Sequence, residues 1–279
     1  MSASVYTVIH NQKVLVNFGH PYPIIARQFP SFNNPLVELV YQSYLSKQTP
    51  ITFIDVGSGI GDTVLLVRAN CPEMVKQFYC IDGDPDFFDY LQRNLGNFPE
   101  KKLFFLLLSS SCEGEKALVR THKGTASAQG NIRVSSNTLD SVILSDKPDR
   151  IDVIKVDVDG FDGKVLQGAR GILDKYKSSV IFEWHPALCK ETGNNWTDHF
   201  NVLAETGYTR FIWFNKFGEF SHFMESNDRK GINMLAEFCL YNHIYYDWHY
   251  DVIALHENSQ ISPISLAESN YARNRRSRY

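Results

Sequence analysis

"ITFIDVGSGIGDTVLL" (residues 51–66) runs from an apolar stretch through three alternating glycines into a second apolar stretch. Ile51 to Ile54 read as a buried strand and the residues after Gly61 as a helix. Gly57, Gly59 and Gly61 allow a tight turn, a close backbone approach to a ligand and close helix–strand packing. A loop of this kind at the carboxyl end of a strand is where doubly wound sheets bind their ligands. Dinucleotide sites space their glycines G-x-G-x-x-G, so that a helix N-terminus faces a pyrophosphate. Here the spacing is G-x-G-x-G, and Asp55 stands two residues before the first glycine. A carboxylate repels a pyrophosphate and attracts a sulfonium or an ammonium. Asp55 therefore favours S-adenosylmethionine over a nicotinamide cofactor.

Outward from this loop, strand patterns fall at 51–56, 78–82, 103–108, 151–157 and 179–184, and helical patterns at 61–70, 85–95 and 161–176. Alternating β and α elements predict an α/β fold, a mostly parallel sheet with helices on both faces. Upstream, "SVYTVIHNQKVLVNFG" (4–19) suggests a hairpin, and 33–47 reads as a helix with Pro35 near its first turn. Beyond Gly207 a strand pair, a helix at "KGINMLAEFCLYN" and a long strand in "YYDWHYDVIALHEN" follow. The expected organisation is an extension over 1–50, a ligand-binding domain over 51–257 and a tail over 258–279. The tail carries Arg273, Arg275, Arg276 and Arg278 and reads as solvated and disordered, with contact to an anionic surface as the other reading.

The chain has 279 residues and a formal net charge of -3, which argues for neither nucleic acid nor a membrane surface as partner. Its five cysteines are scattered without metal-ligand spacing, and no apolar run approaches the ~20 residues needed to span a bilayer. No secretory pattern opens the sequence. The expectation is a soluble, cytoplasmic protein.

Several side chains carry candidate chemistry. Asp82 ends a strand 21 residues after Gly61, and an acid about 20 residues past the loop commonly binds the ribose hydroxyls of an adenosine ligand. Capping of the next helix is the competing role, and Asp84 before Pro85 fits it better. Ser109 and Ser110 fall where an adenine edge would lie, although they read equally as loop serines. In "DVIKVDVDGFDGKVLQGARGIL" (152–173), Lys155, Asp157 and Asp159 alternate along a strand end and project to one side. "SSVIFEWHP" (178–186) brings Glu183 and His185 to the same sheet edge. Removing a proton from an acceptor hydroxyl needs an imidazole or carboxylate within reach, and His185, with a pKa nearest neutrality, is the first choice of base. A structural histidine before Pro186 explains it as well. Asp157, Glu183 and His185 could instead hold a divalent cation. Trp184, Trp196 and Trp213 could wall a sugar site, but core packing accounts for them more simply.

At these residues the sequence resembles the FkbM family of S-adenosylmethionine-dependent methyltransferases. The resemblance runs from about Phe53 to His185 and rests on "IDVGSGIGDT", "IDGDP", "NTLDSVI", "IKVDVDGFDGKVLQGA" and "IFEWHP". It implies a class I methyltransferase fold, Rossmann-like, with seven strands of which the last is antiparallel. It also implies O-methylation of a hydroxyl on a sugar, glycan or related natural product. Carried over by position, Asp55, Gly57, Ser58, Gly59, Asp62 and Thr63 fall in the methionine-side loop. Asp82 and Gly83 fall at the ribose turn, and Asp157 and Asp159 at the reaction edge. The sequence departs from the family pattern at Ser58-Gly59, at Gly83, and in carrying aspartate at 82 and 159 where glutamate is usual. Alternatives from the residues alone are a metal-dependent O-methyltransferase of catechol-like or sugar substrates and a nucleotide-binding module without catalysis.

Overall fold

The computed structural model describes residues 3–112, 114–122, 125–226 and 228–277. A hairpin, β1 (Ser4–Ile9) and β2 (Gln12–Asn17), opens the chain and is followed by α1 (Tyr22–Gln28) and α2 (Asn34–Lys47). Then come β3 (Ile51–Val56), α3 (Asp62–Asn70), β4 (Val75–Asp82), α4 (Pro85–Asn94), β5 (Lys101–Phe105) and the short β6 (Leu107–Leu108). A second hairpin, β7 (Gly114–His122) and β8 (Thr125–Asn137), leads to α5 (Leu139–Ser145), β9 (Val153–Val156), α6 (Asp162–Gln167), α7 (Arg170–Tyr176) and β10 (Ser179–Trp184). The last part holds α8 (Pro186–Glu191), α9 (Asp198–Glu205), β11 (Tyr208–Asn215), β12 (Phe220–Glu225), α10 (Arg229–His243), β13 (Tyr250–His256) and α11 (Pro263–Ser277).

The main sheet has the order β12-β11-β13-β10-β9-β3-β4-β5. Strands β5, β4, β3, β9 and β10 are mutually parallel, and β13 is antiparallel between β10 and β11. This is the expected class I methyltransferase arrangement with one addition: β12 pairs antiparallel with β11 and forms an eighth strand at the edge. The chain moves outward from β3 through β4 to β5 and then returns to the other side of β3 with β9. The crevice at that reversal is where such a sheet opens a ligand site.

All six residues of β3 are buried, and they alternate between two apolar layers. Ile51 and Phe53 join a cluster with α2, α3, α4 and the first hairpin; Ile54 and Val56 join one with α5, α6, α7, α9 and α10. Because Leu36, Val37, Leu39 and Val40 of α2 belong to the first cluster, the N-terminal extension shares the core of the sheet. Asp84 caps α4 by accepting from the Asp86 and Phe87 amides, as its place before Pro85 suggested.

Three expectations need correction. The helix expected over 161–176 is two helices, with Gly168 at the break, packed so closely on the Ser109 carbonyl that a Cβ would overlap it. The strand expected over 103–108 breaks after Phe105, and β6 leaves the main sheet to pair with β8. The tail is not disordered over its described part, for α11 docks on α2. Asn274 accepts from Asn34 Nδ2 (2.8 Å) and donates to the Gly218 carbonyl (2.8 Å), and Arg273 pairs with Glu38 (3.2 Å). Leu266 is fully buried in the apolar cluster that α2 joins, so the helix has an apolar side that the arginines obscured in the sequence. Arg278 lies outside the described residues. Among the described residues no helix is long and apolar enough to cross a membrane.

Candidate active site

A cavity of about 270 Å³ opens at the carboxyl ends of β3, β4 and β9. Its glycine loop is held by backbone contacts. Gly57 has φ +76°, and a Cβ there would lie 2.9 Å from the Asp157 carbonyl carbon and overlap its oxygen, so the β3 and β9 loops touch main chain to main chain. Gly61 (φ +87°) lets α3 start close against Leu91 and Leu95 of the α4 region. The amide of Gly59 donates to Asp82 Oδ2 (2.7 Å), and the amide of Asp84 donates to Asp82 Oδ1 (2.8 Å). Asp82 is thereby fixed at the cavity wall with further lone pairs on both oxygens. Burial pushes its pKa up to about 7, against the two amide bonds that favour the carboxylate.

Of the other loop residues, Gly57, Gly59, Asp62, Thr63 and Gly83 line the cavity. Asp55 and Ser58 do not. Asp55 is completely buried, and its carboxylate faces Lys155 Nζ at 3.4 Å, while the same ammonium reaches Asp157 at 3.2 Å. Lys155 has lost most of its hydration, but the charges of Asp157, Asp55 and Asp62 more than offset that and hold it protonated. Lys155, which itself lines the cavity, neutralises Asp55 and stands between it and any ligand, so the expected direct attraction between Asp55 and a cationic ligand is absent. Ser58 Oγ donates to the Asp55 carbonyl (2.8 Å) and accepts from the Ile81 amide (3.0 Å), which makes it a brace between β3 and β4. The wall remains acidic without them. Asp62, Asp82, Asp84, Asp157 and Asp159 line it against the single ammonium of Lys155.

Ser109 and Ser110 are also absent from the wall; the Ser109 amide is bonded to the Asn137 carbonyl (2.9 Å). Leu106, Leu107 and Leu108, just before them in the chain, line the wall instead. Gly83 is required there, because a Cβ would come within 2.8 Å of Leu107 Cγ. The opposite wall comes from the N-terminal extension, with His20, Tyr22, Phe32 and Asn33. No spacing motif announced those residues. Burial lowers the His20 pKa to about 4, so it meets the cavity as a neutral ring.

Beside the Asp157–Asp159 edge lies a second group. Asp159 holds a left-handed backbone (φ +50°) and its pKa is pushed up to about 7 by burial and by Asp157, Asp82 and Asp247. Glu183 sits at the end of β10, and burial, then the charges of Asp157, Asp159, Asp162 and Asp251, raise its pKa well above the ordinary value. Its Oε2 is buried without a hydrogen-bond partner, and Oε1 lies 3.5 Å from His249 Nε2. His185, the first choice of base, is only 4% exposed. Its Nε2 lies 2.5 Å from Asp247 Oδ1 and its Nδ1 faces the Leu188 amide at 3.4 Å. With both ring nitrogens engaged, His185 positions other groups and is badly placed to take a proton from an acceptor. Asp247 and His249 were missed because they stand far along the chain, in the loop before β13. The antiparallel pairing of β10 with β13 is what brings them to Glu183 and His185.

Trp184 and Trp213 are fully buried core residues, as packing alone suggested. The aromatic surface near this edge is instead Phe238, Tyr241, Tyr245 and Tyr246, all exposed, next to Trp248.

The model of the methyltransferase FkbM domain family matches residues 55–210, more than half of the chain. Among solved structures, the chain is similar to methyltransferase FkbM from Methylobacillus flagellatus KT, at 13% identity and a TM-score of 0.44, over 74% of this chain and 43% of that one. It thus spans less than half the length of that protein. It is also similar to precorrin-6y C5,15-methyltransferase from Geobacter metallireducens GS-15 (12% identity, TM-score 0.41, 78% and 85% covered). A third similar structure is M. jannaschii TYW2 in complex with AdoMet (11%, 0.42, 91% and 86%). No curated protein matches the chain significantly.

Proposed function

Because the chain belongs to the FkbM methyltransferase family and takes S-adenosylmethionine as its cofactor, we propose that it methylates a hydroxyl oxygen of a sugar, glycan or related natural product. When bound, the cofactor supplies an electrophilic methyl group on a sulfonium. The acidic wall suits that positive charge, and Asp82 offers both oxygens to ribose hydroxyls. Leu106, Leu107 and Leu108 form the apolar side on which an adenine can pack. Gly57 and Gly59 let main chain approach the aminoacyl end.

The observation that carries the oxygen-transfer reading is Glu183. A hydroxyl must lose its proton as the new bond forms, and a carboxylate whose pKa is raised by burial is a more effective base near neutral pH than an exposed one. Glu183 carries such a raised pKa beside Asp157; its Oε2 is unpartnered but buried behind the cavity wall, so the acceptor oxygen must enter past Asp157 to reach it. His185 and Asp247 hold the adjoining loop in place. Exposed Tyr and Phe rings near Trp248 give a surface on which a sugar ring can stack.

The test is a transfer assay with S-adenosylmethionine against a panel of hydroxylated acceptors, scored by mass. A product 14 Da heavier on oxygen supports the reading. Donor binding without transfer to any acceptor favours a non-catalytic binding module.

A further inference from the structure

Among the described residues, His185, Asp247 and His249 each bring one ligand atom to within 4.8 Å of the others. Their meeting is a product of topology. Trp184 pairs with Tyr250 across β10 and β13, so positions 185 and 249 face each other one step beyond, and their rings stack with centroids 5.3 Å apart. Asp247 reaches both, with Oδ1 at 2.5 Å from His185 Nε2 and Oδ2 at 3.4 Å from His249 Nδ1.

Two details distinguish this group from an ordinary polar cluster. His249 Nδ1 is buried and has no hydrogen-bond partner, an uncompensated loss unless something else meets it. Its other nitrogen, Nε2, faces the Glu183 carboxylate at 3.5 Å. In the tautomer with its proton on Nε2, facing Glu183, His249 directs the Nδ1 lone pair at Asp247 and His185. That carboxylate–imidazole arrangement is the outer-shell pattern that orients metal-ligating histidines. The Leu188 amide donates to His185 Nδ1 (3.4 Å), which leaves the His185 proton on Nε2 facing Asp247, and a cation binding there displaces that proton.

We propose that His185 Nε2, Asp247 Oδ1 and His249 Nδ1 form a binding site for a borderline divalent cation of the Zn²⁺ type. Two imidazoles and one carboxylate suit Zn²⁺, Co²⁺ or Ni²⁺ rather than Mg²⁺, which takes oxygen ligands. Asp247 is half exposed, and three protein ligands leave a fourth coordination position for solvent or substrate. Lys216 Nζ lies 2.9 Å from Asp247 Oδ2 and competes for the carboxylate's charge. The site differs from the one expected from Asp157, Glu183 and His185. It shares only His185, and its other ligands come from the loop before β13.

Titration of chelator-stripped protein with ZnCl₂ by calorimetry, and with CoCl₂ by visible absorption, tests this without reference to methyl transfer. One equivalent of Zn²⁺ should bind, and Co²⁺ should develop the absorption bands of a low-coordinate complex. Asp247→Asn and His249→Ala should each weaken binding at least tenfold. Lys216→Met should tighten it by removing the competing ammonium. S-adenosylhomocysteine binding serves as the check that each variant is folded. No Zn²⁺ binding by folded wild-type protein, or equal binding by a folded His249→Ala variant, would overturn the proposal.

Discussion

Replacing Gly57 by alanine separates the local geometry of the glycine loop from generic backbone strain. Gly57 (φ +76°) and Gly193 (φ +70°) both hold left-handed backbone, and only Gly57 is crowded. At Gly193 nothing lies within 4 Å of an added Cβ, so Gly193→Ala should cost only the conformational strain, about 1–2 kcal/mol. At Gly57 the same methyl meets the Asp157 carbonyl, a backbone group that moves only if the β9 loop moves with it. Overpacking of this kind adds about 1–3 kcal/mol, for a total of about 2–5 kcal/mol. Because Asp157 and Gly59 line the cavity beside it, the displacement should also weaken S-adenosylhomocysteine binding at least tenfold, about 1.4 kcal/mol. Urea unfolding gives the first quantity and calorimetry the second. Equal stability losses in the two variants, with ligand affinity within twofold of wild type in Gly57→Ala, would refute the claim that the two loops abut at this point.

Three other outcomes follow from single side chains. Asp82→Asn should weaken S-adenosylhomocysteine binding. In the wild-type protein the affinity should rise as pH passes upward through about 7, because burial holds Asp82 protonated below that value and the carboxylate is the better acceptor for ribose hydroxyls; calorimetry from pH 6 to 8 should find that rise blunted in the variant. Glu183→Gln should lower kcat by about 10²–10⁴-fold while leaving S-adenosylhomocysteine affinity within twofold, and an unchanged kcat would exclude Glu183 as base. Asn274→Ala removes the bonds to Asn34 and Gly218 from a buried position and should cost about 1–3 kcal/mol in urea unfolding, whereas a tail detached from the domain would show no loss.

The sheet was legible because each parallel strand is a short apolar run followed by a helical period, and those runs lie where β3, β4, β9 and β10 stand. The glycine wall of the cavity was legible for the same local reason: glycines, an acid and a cap at fixed short spacings describe one turn of chain. Asp84 takes the cap as its place before Pro85 suggested, which leaves Asp82 on the cavity wall. Less local features were not readable. Asp55 lies against a cation that no local motif reveals, for the β3–β9 pairing places Lys155 directly opposite it to neutralise its charge. His185 suggested a base from its ordinary pKa, while its actual setting depends on Asp247, 62 residues away. The apolar side of α11 was hidden behind four arginines, and its partner α2 lies more than two hundred residues earlier. The wall formed by His20 and Tyr22 depends on how the first hairpin folds back, which no short motif encodes.

The central claim is that the cavity at the switch point holds an adenosyl donor with its ribose on Asp82. A crystal structure of the protein with S-adenosylhomocysteine tests it most directly. Both ribose hydroxyls should lie within hydrogen-bond distance of the Asp82 carboxylate, with the sulfur directed toward the Asp157–Asp159 edge. A ribose bound elsewhere, with Asp82 still occupied only by the Gly59 and Asp84 amides, would contradict it.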